Sequence, residues 1–136
     1  MKLSKINKST FEFMDAKFTI KNLLSGEILS ISDSSNSATI ELKDVGGEFL
    51  PTRTIASSQK KEKFLTIQKC VVDWSGVFGE DEKGNEKEIE CTEQNKKRFC
   101  EELDLEIFND FYAKLTQERE KLAKVVKEQR EKTVKN

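Results

Sequence analysis

The chain has 136 residues, with 24 Lys and Arg against 25 Asp and Glu, and it contains no histidine. This charge balance argues against a generic nucleic-acid binder, and the missing histidine excludes His-based acid–base catalysis, Ser-His-Asp triads and His metal ligands. No apolar run is long enough to span a membrane, and residues 1–8 lack the apolar stretch of a signal peptide, so we expect a cytoplasmic protein. An apolar content of 35% predicts one domain with part of the chain outside its core.

The N-terminal third alternates apolar and polar side chains, as strands do. Residues 11–13 and 17–21 follow this pattern, and so do 27–31 and 38–42 on either side of the turn-forming run 32–37. The second pair of segments predicts a β-hairpin with a longer loop. Together the four segments predict a small antiparallel sheet.

Pro51 is the only proline, and we expect it to break regular structure at the boundary between the two halves. Beyond it, apolar residues recur at three- and four-residue spacing, which predicts a helix over 59–73. Because this stretch ends in β-branched residues, a strand over 64–72 is the alternative. Gly76 is well placed for the left-handed conformation that ends a helix.

Six carboxylates crowd the segment 80–90, around a turn signal at Lys83-Gly84-Asn85. An EF-hand calcium loop would need oxygen ligands at alternate positions, whereas here a lysine stands directly before the glycine. We therefore expect a solvated hairpin or turn, with a metal site as the alternative.

Three cysteines, Cys70, Cys91 and Cys100, are spaced too widely for a C-x-x-C pair and predict reduced thiols. Zinc would need a fourth ligand in a chain without histidine. A nucleophilic cysteine would need a neighbouring cation or a helix N-terminus, which Cys91 alone approaches, and no base or oxyanion donor accompanies it. We expect no cofactor, no metal and no catalytic residue.

Two polar residues predict where the last helices begin. Thr92 is placed as the N-cap of a helix through about 103, and Asp104 as the N-cap of another over 105–128. Residues 116–136 carry seven Lys or Arg against four Glu and little apolar sequence, which predicts a solvated helical extension. Its interspersed acids and lack of aromatic residues disfavour nucleic-acid binding.

These elements predict an α+β fold, in which an N-terminal antiparallel β-sheet precedes a mainly helical C-terminal half with a long charged terminal helix. We divide the chain into a β-rich part over 1–50 and a helical part of the same domain over 51–115. The charged helical extension over 116–136 follows them.

One pattern in the middle is more specific. Val71-Val72-Asp73-Trp74-Ser75-Gly76-Val77 precedes an acidic turn from Asp81 to Asn85, and Thr92-Glu93-Gln94-Asn95 follows. The tryptophan would bury a large apolar area, the glycine would let the chain reverse, and the threonine would start a helix. Over about residues 60–115 this pattern resembles the tail assembly chaperones of long-tailed phages and related prophages. The structural motif residues that carry the resemblance are Asp73, Trp74, Gly76, Thr92 and Asn95.

The resemblance implies a non-enzymatic function in the cytoplasm of a bacterial host. Such chaperones bind the long helical tape measure protein and recruit tail tube subunits around it, and many also exist in a longer, frameshifted form. This function needs apolar surface beside mixed charge rather than an active site, and a weak homo-oligomer is expected. The candidate partner-binding stripe on the last helix is Phe108, Phe111, Tyr112 and Leu115, with membership of the core as the alternative.

Three other interpretations stay open at this point. A tube-associated or completion subunit would remain in the finished tail, whereas a chaperone would leave it. A metal-dependent or cysteine enzyme would respond to added metal or depend on one thiol, and a generic bacterial adaptor would dimerise through its helical extension.

Overall fold

The structure is a computed structural model that describes residues 1–35, 40–45, 48–53 and 56–134, with side chains described for 1–34 and 59–131. The fold is α+β, as predicted: an N-terminal antiparallel sheet is followed by a mostly helical C-terminal half that ends in a long helix. The strands are β1 (Lys8–Phe13), β2 (Ala16–Lys21), β3 (Ile40–Val45), β4 (Glu48–Arg53), β5 (Val71–Ser75), β6 (Phe78–Glu80) and β7 (Glu86–Glu88). The helices are α1 (Ser25–Ser35), α2 (Ala56–Cys70), α3 (Glu93–Glu102) and α4 (Leu105–Val134).

The central sheet has three antiparallel strands in the order β1–β2–β5. Phe11 lies opposite Phe18, and Phe18 lies opposite Trp74. Because successive residues of a strand point to opposite faces, these rings share the inner face, while the hydroxyls of Thr10 and Thr19 lie 3.2 Å apart on the outer face. The two strands predicted from alternation over 11–13 and 17–21 are confirmed.

The core lies between this sheet and helices α2, α3 and α4. Phe18 is at its centre, with its ring centroid 4.8 Å from that of Phe111 and 5.6 Å from those of Phe11 and Phe99. Such separations are typical of packed aromatic pairs, each of which contributes about 0.5–1.5 kcal/mol beyond its buried area. The aromatic residues therefore explain how a chain with a low apolar fraction still forms a core.

The predicted strand over 27–31 is wrong, because this segment lies within α1. The carboxylate of Glu27 accepts the backbone N–H of Leu24 at 3.1 Å, a contact that caps the start of a helix, and it also pairs with Lys21 of β2. Ile28 and Ile31 are three residues apart, a spacing that also fits one face of a helix, so the pattern alone was ambiguous. The cap made by Glu27 favours the helix.

The predicted partner strand over 38–42 pairs with a different segment. β3 runs antiparallel to β4, with Leu42 opposite Pro51, so the break in regular structure predicted at Pro51 is also wrong. A two-stranded hairpin leaves each strand one open edge, where a proline loses no ladder hydrogen bond. Residues 36–39 of the predicted hairpin lie outside the described residues.

The predicted helix over 59–73 is correct only for its first part. Residues Val71 to Ser75 form β5, because the β-branched end of the segment pairs with β2. Trp74 therefore lies in a strand and does not end a helix, and the alternative strand over 64–72 starts too early. Gly76 has the predicted left-handed conformation, with φ +78°, but it reverses the chain after a strand.

Both predicted N-caps are confirmed. The Thr92 hydroxyl accepts the backbone N–H of Asn95 at 3.2 Å, and the Asp104 carboxylate accepts that of Glu106 at 3.0 Å. Lys96 of α3 adds a link to α2, because its ammonium donates to the carbonyl oxygen of Gln68 at 2.8 Å. The same ammonium donates to the carbonyl oxygen of Val71 in β5 at 3.1 Å, and this bond ties α3 to the sheet.

The last helix packs further along its length than predicted. Glu118 and Leu122 are buried, so the solvated part begins after Leu122 rather than at residue 116. Burial disfavours the charged form of Glu118, but hydrogen bonds from Lys114 and Lys121 outweigh that effect and lower its pKa. Among the described residues, no helix is long and apolar enough to cross a membrane.

Candidate partner-binding groove

The motif residues meet around one loop, residues 89–92, which joins β7 to α3. The indole N–H of Trp74 donates to the Ile89 carbonyl oxygen at 2.9 Å, and the Asn95 side chain donates to the Glu90 carbonyl oxygen at 2.8 Å. Thr92 caps α3 from within the same loop. Trp74, Thr92 and Asn95 thus hold this loop in place, and Gly76 turns the chain beside it.

The fifth motif residue, Asp73, lies exposed on β5, and its carboxylate accepts the backbone N–H of Trp74 at 2.9 Å. This local contact orients the backbone where the tryptophan enters the core. Asp73 and the 89–92 loop line the same surface pocket.

Gly76 brings two turns into contact. A Cβ atom at this position would lie 3.0 Å from the Asp15 carbonyl oxygen and 3.2 Å from the Ala16 Cα, and φ is positive. Both facts require glycine here. The turn after β5 therefore packs directly on the turn between β1 and β2.

The β1–β2 turn is strained. Its two central residues, Met14 and Asp15, have φ +45° and +65°, the left-handed conformation at both positions of a two-residue turn that favours Asn-Gly. Met14 is nevertheless 66% exposed. An apolar side chain held in solvent by a costly backbone conformation suggests a functional role, because neither feature stabilises the fold.

These two turns form one wall of an apolar groove with a volume of about 230 Å³. The β6–β7 hairpin contributes Phe78, which is 58% exposed, and α3 and α4 close the other side. The lining residues include Met14, Gly76, Val77, Phe78, Ile89, Phe99, Leu103 and Ile107.

Two charged residues lie in the groove and neutralise each other. The Arg98 guanidinium donates to the Glu102 carboxylate at 2.9 Å and to the Glu80 carbonyl oxygen at 3.1 Å. The second contact joins α3 to the β6–β7 hairpin. The groove is therefore suited to binding apolar side chains, with one fixed polar pair at its rim.

The four residues predicted as a contact stripe belong mainly to the core, the alternative that the sequence left open. Phe111 and Leu115 are fully buried and Phe108 nearly so, because this face of α4 packs on the sheet. Tyr112 is half-buried, with the Lys63 ammonium 5.3 Å from its ring centroid. The groove was not predicted, because its lining residues come from segments that lie far apart in the sequence.

The acidic segment forms the predicted hairpin. The Asp81 carboxylate accepts the backbone N–H groups of Lys83 and Asn85, both at 2.9 Å, and Gly84 has φ +79°. In the part of the chain that the structure describes, no three His, Cys, Asp or Glu side chains come together to hold a metal ion.

The three cysteines are free thiols, as predicted. Burial raises the pKa of Cys70 and Cys91, and that of Cys100 to about 12. Activation of a nucleophile requires the opposite shift, so the environment of these thiols disfavours thiolate chemistry.

No protein-family model, curated protein or solved structure matches the chain. The sequence pattern and the groove involve the same turn, because Gly76 and Val77 belong to the pattern and line the groove.

Proposed function

We propose that the chain is a non-enzymatic tail assembly chaperone of a long-tailed phage or prophage, acting in the cytoplasm of the bacterial host. It binds a helical segment of the tape measure protein in the groove and recruits tail tube subunits. The observation that carries this proposal is the apolar groove itself, built on the turn that carries the sequence resemblance.

The groove suits reversible binding of an amphipathic helix. Met14 and Phe78 offer exposed apolar surface, and the flexible thioether adapts to different partner side chains. A helix that places apolar residues three and four apart would bury them between these two side chains. Because a chaperone must release its partner, one shallow groove fits the role better than an extended interface.

The DNA flanking the gene tests the proposed class. We expect a slippery heptanucleotide near its 3′ end, an overlapping −1 frame and a very long helical reading frame downstream. Metabolic or regulatory genes at this position would contradict the proposal.

Co-expression with the product of that long reading frame tests the groove. The tape measure protein should co-purify with the native chain and with Ile28→Ser, a control that removes a 51%-exposed side chain from α1. Phe78→Ser should abolish co-purification, because it removes an exposed wall of the groove. Equal binding by the two variants would contradict the assignment of the groove.

Finished particles distinguish a chaperone from a tail structural protein. Purified tails should lack the chain, whereas the cell lysate should contain it. A fixed number of copies in each purified tail would favour the tube-associated or completion subunit instead.

A further inference from the structure

The first seven residues form a segment, here called the arm, whose large apolar side chains are more than half exposed. Leu3 is 93% exposed and Ile6 is 56% exposed. Between and beside them are Lys2 and Lys5, and the arm contains no acidic residue. Exposed apolar side chains alternating with positive charge are typical of a binding segment.

The arm is fixed at one end of β1. The backbone N–H of Asn7 donates to the side-chain oxygen of Asn22 at 2.6 Å, and the backbone N–H of Asn22 donates to the Asn7 carbonyl oxygen at 3.2 Å. The side-chain amide of Asn22 also donates to the Lys5 carbonyl oxygen at 3.1 Å. The groove lies at the other end of the same strand, beside Met14. The arm and the groove are therefore on opposite ends of the β1–β2 hairpin.

Leu3 of the arm cannot reach Met14, which lies at the far end of β1 in its own chain. Seven residues of extended chain separate Asn7 from Met14, or about 23 Å, whereas the four residues from Asn7 to Leu3 span at most about 14 Å. An arm that contacts Met14 through Leu3 must therefore come from a second copy of the chain.

The charges around the groove complement those of the arm. Residues 78–110, which supply the hairpin, α3 and the first six residues of α4, contain twelve Asp or Glu against five Lys or Arg. Glu88 lies beside the groove, because it pairs across the β6–β7 hairpin with Phe78 and its carboxylate accepts the backbone N–H of Gly76 at 2.9 Å. Arg98, which lines the groove, is already paired with Glu102. The rim thus attracts a lysine-bearing apolar segment.

We propose that the arm of one copy binds in the groove of a second copy, with Leu3 as the apolar anchor and Lys2 and Lys5 facing the acidic rim. The inference uses the groove but does not depend on the chaperone function. Where a partner helix takes the same groove, the arm competes with it, so self-association protects the apolar surface until the partner arrives.

Sedimentation of two complementary variants tests this interface. The arm variant carries Leu3→Ser with Ile6→Ser, and the groove variant carries Met14→Ser with Phe78→Ser. The native chain should associate as its concentration rises, more weakly in high salt, and each variant alone should associate at least about tenfold more weakly. An equal mixture should recover association, because the intact arm of one variant meets the intact groove of the other.

A matched control removes exposed apolar surface elsewhere, with Ile28→Ser and Leu29→Ser on α1, and should associate like the native chain. Far-UV circular dichroism of each variant checks that the fold is retained. The proposal is overturned if the native chain stays monomeric at millimolar concentration, if either variant associates as the native chain does, or if the mixture shows no recovery. Loss of association in the control would equally overturn it.

Discussion

The molecule contains two short antiparallel hairpins that differ in what holds them. In β1–β2 the inner side chains, such as Phe11 and Phe18, are buried in the core, whereas the strands of β6–β7 are exposed or half-buried along their whole length. Hydrogen bonds from other elements position the second hairpin: the Trp74 indole N–H donates to the Ile89 carbonyl oxygen, and the Arg98 guanidinium donates to the Glu80 carbonyl oxygen. Apolar burial thus fixes the fold, and polar contacts fix the groove wall, so mutations should separate stability from binding.

The largest expected effect is on the first hairpin. Phe18→Ala should lower the free energy of unfolding by about 3–5 kcal/mol, because it removes a fully buried ring from the centre of the core. Phe78→Ala on the second hairpin should change it by less than about 1 kcal/mol. Urea denaturation of both variants measures the difference, and similar losses would contradict the comparison.

A smaller effect should follow from releasing the second hairpin. Trp74→Phe keeps an aromatic ring but leaves the Ile89 carbonyl oxygen without its donor, at a cost of about 1–3 kcal/mol. Amide hydrogen exchange should then rise over residues 78–90 more than over 8–21. Uniform changes in both hairpins would show that the indole does not position the groove wall.

A substitution in the strained β1–β2 turn should raise stability, whereas the two preceding changes lower it. Met14→Asn with Asp15→Gly gives the pair that a two-residue turn of this conformation favours, so stability should rise by about 1 kcal/mol. Binding at the groove should weaken at the same time, because an apolar side chain is lost from its wall. A thermal melt and a sedimentation run on the same sample measure both, and stronger association of this variant would contradict the account.

The smallest expected effect is on stability at acid pH, through the side chain of Glu27. The pKa of Glu27 is lowered from its ordinary value of 4.5, chiefly by the hydrogen bond from Lys21 of the first hairpin. A carboxyl with a lowered pKa contributes stability that is present above its unfolded-state pKa and is lost as the pH falls through its folded-state pKa. Glu27→Gln should therefore flatten the loss of stability that the native chain shows in urea titrations as the pH falls through and below 4.5. An unchanged pH profile would exclude this contribution.

Two kinds of local signal predicted local structure correctly, whereas the alternation over 27–31 and the proline at 51 did not. The alternation around Phe11 and Phe18 and the caps at Thr92 and Asp104 each depend on residues a few positions apart. Helix α1 was mispredicted because the contacts of Glu27 with Leu24 and Lys21 fix its start. Strand β5 was mispredicted because its pairing with β2 cannot be read from the local sequence. The groove was beyond sequence reasoning, because four distant segments form it and a methionine in a turn does not reveal its exposure.

The central claim is that the groove is a binding surface, and site-specific photocrosslinking in the host cell tests it most directly. A photoreactive phenylalanine analogue is placed at position 78, with position 28 on α1 as the control. We predict that position 78 crosslinks to a helical segment of the tape measure protein or to residues 1–7 of a second copy, as identified by mass spectrometry of the joined peptides. Crosslinks from position 78 that are no more frequent than those from position 28, or that join neither segment, would contradict the account.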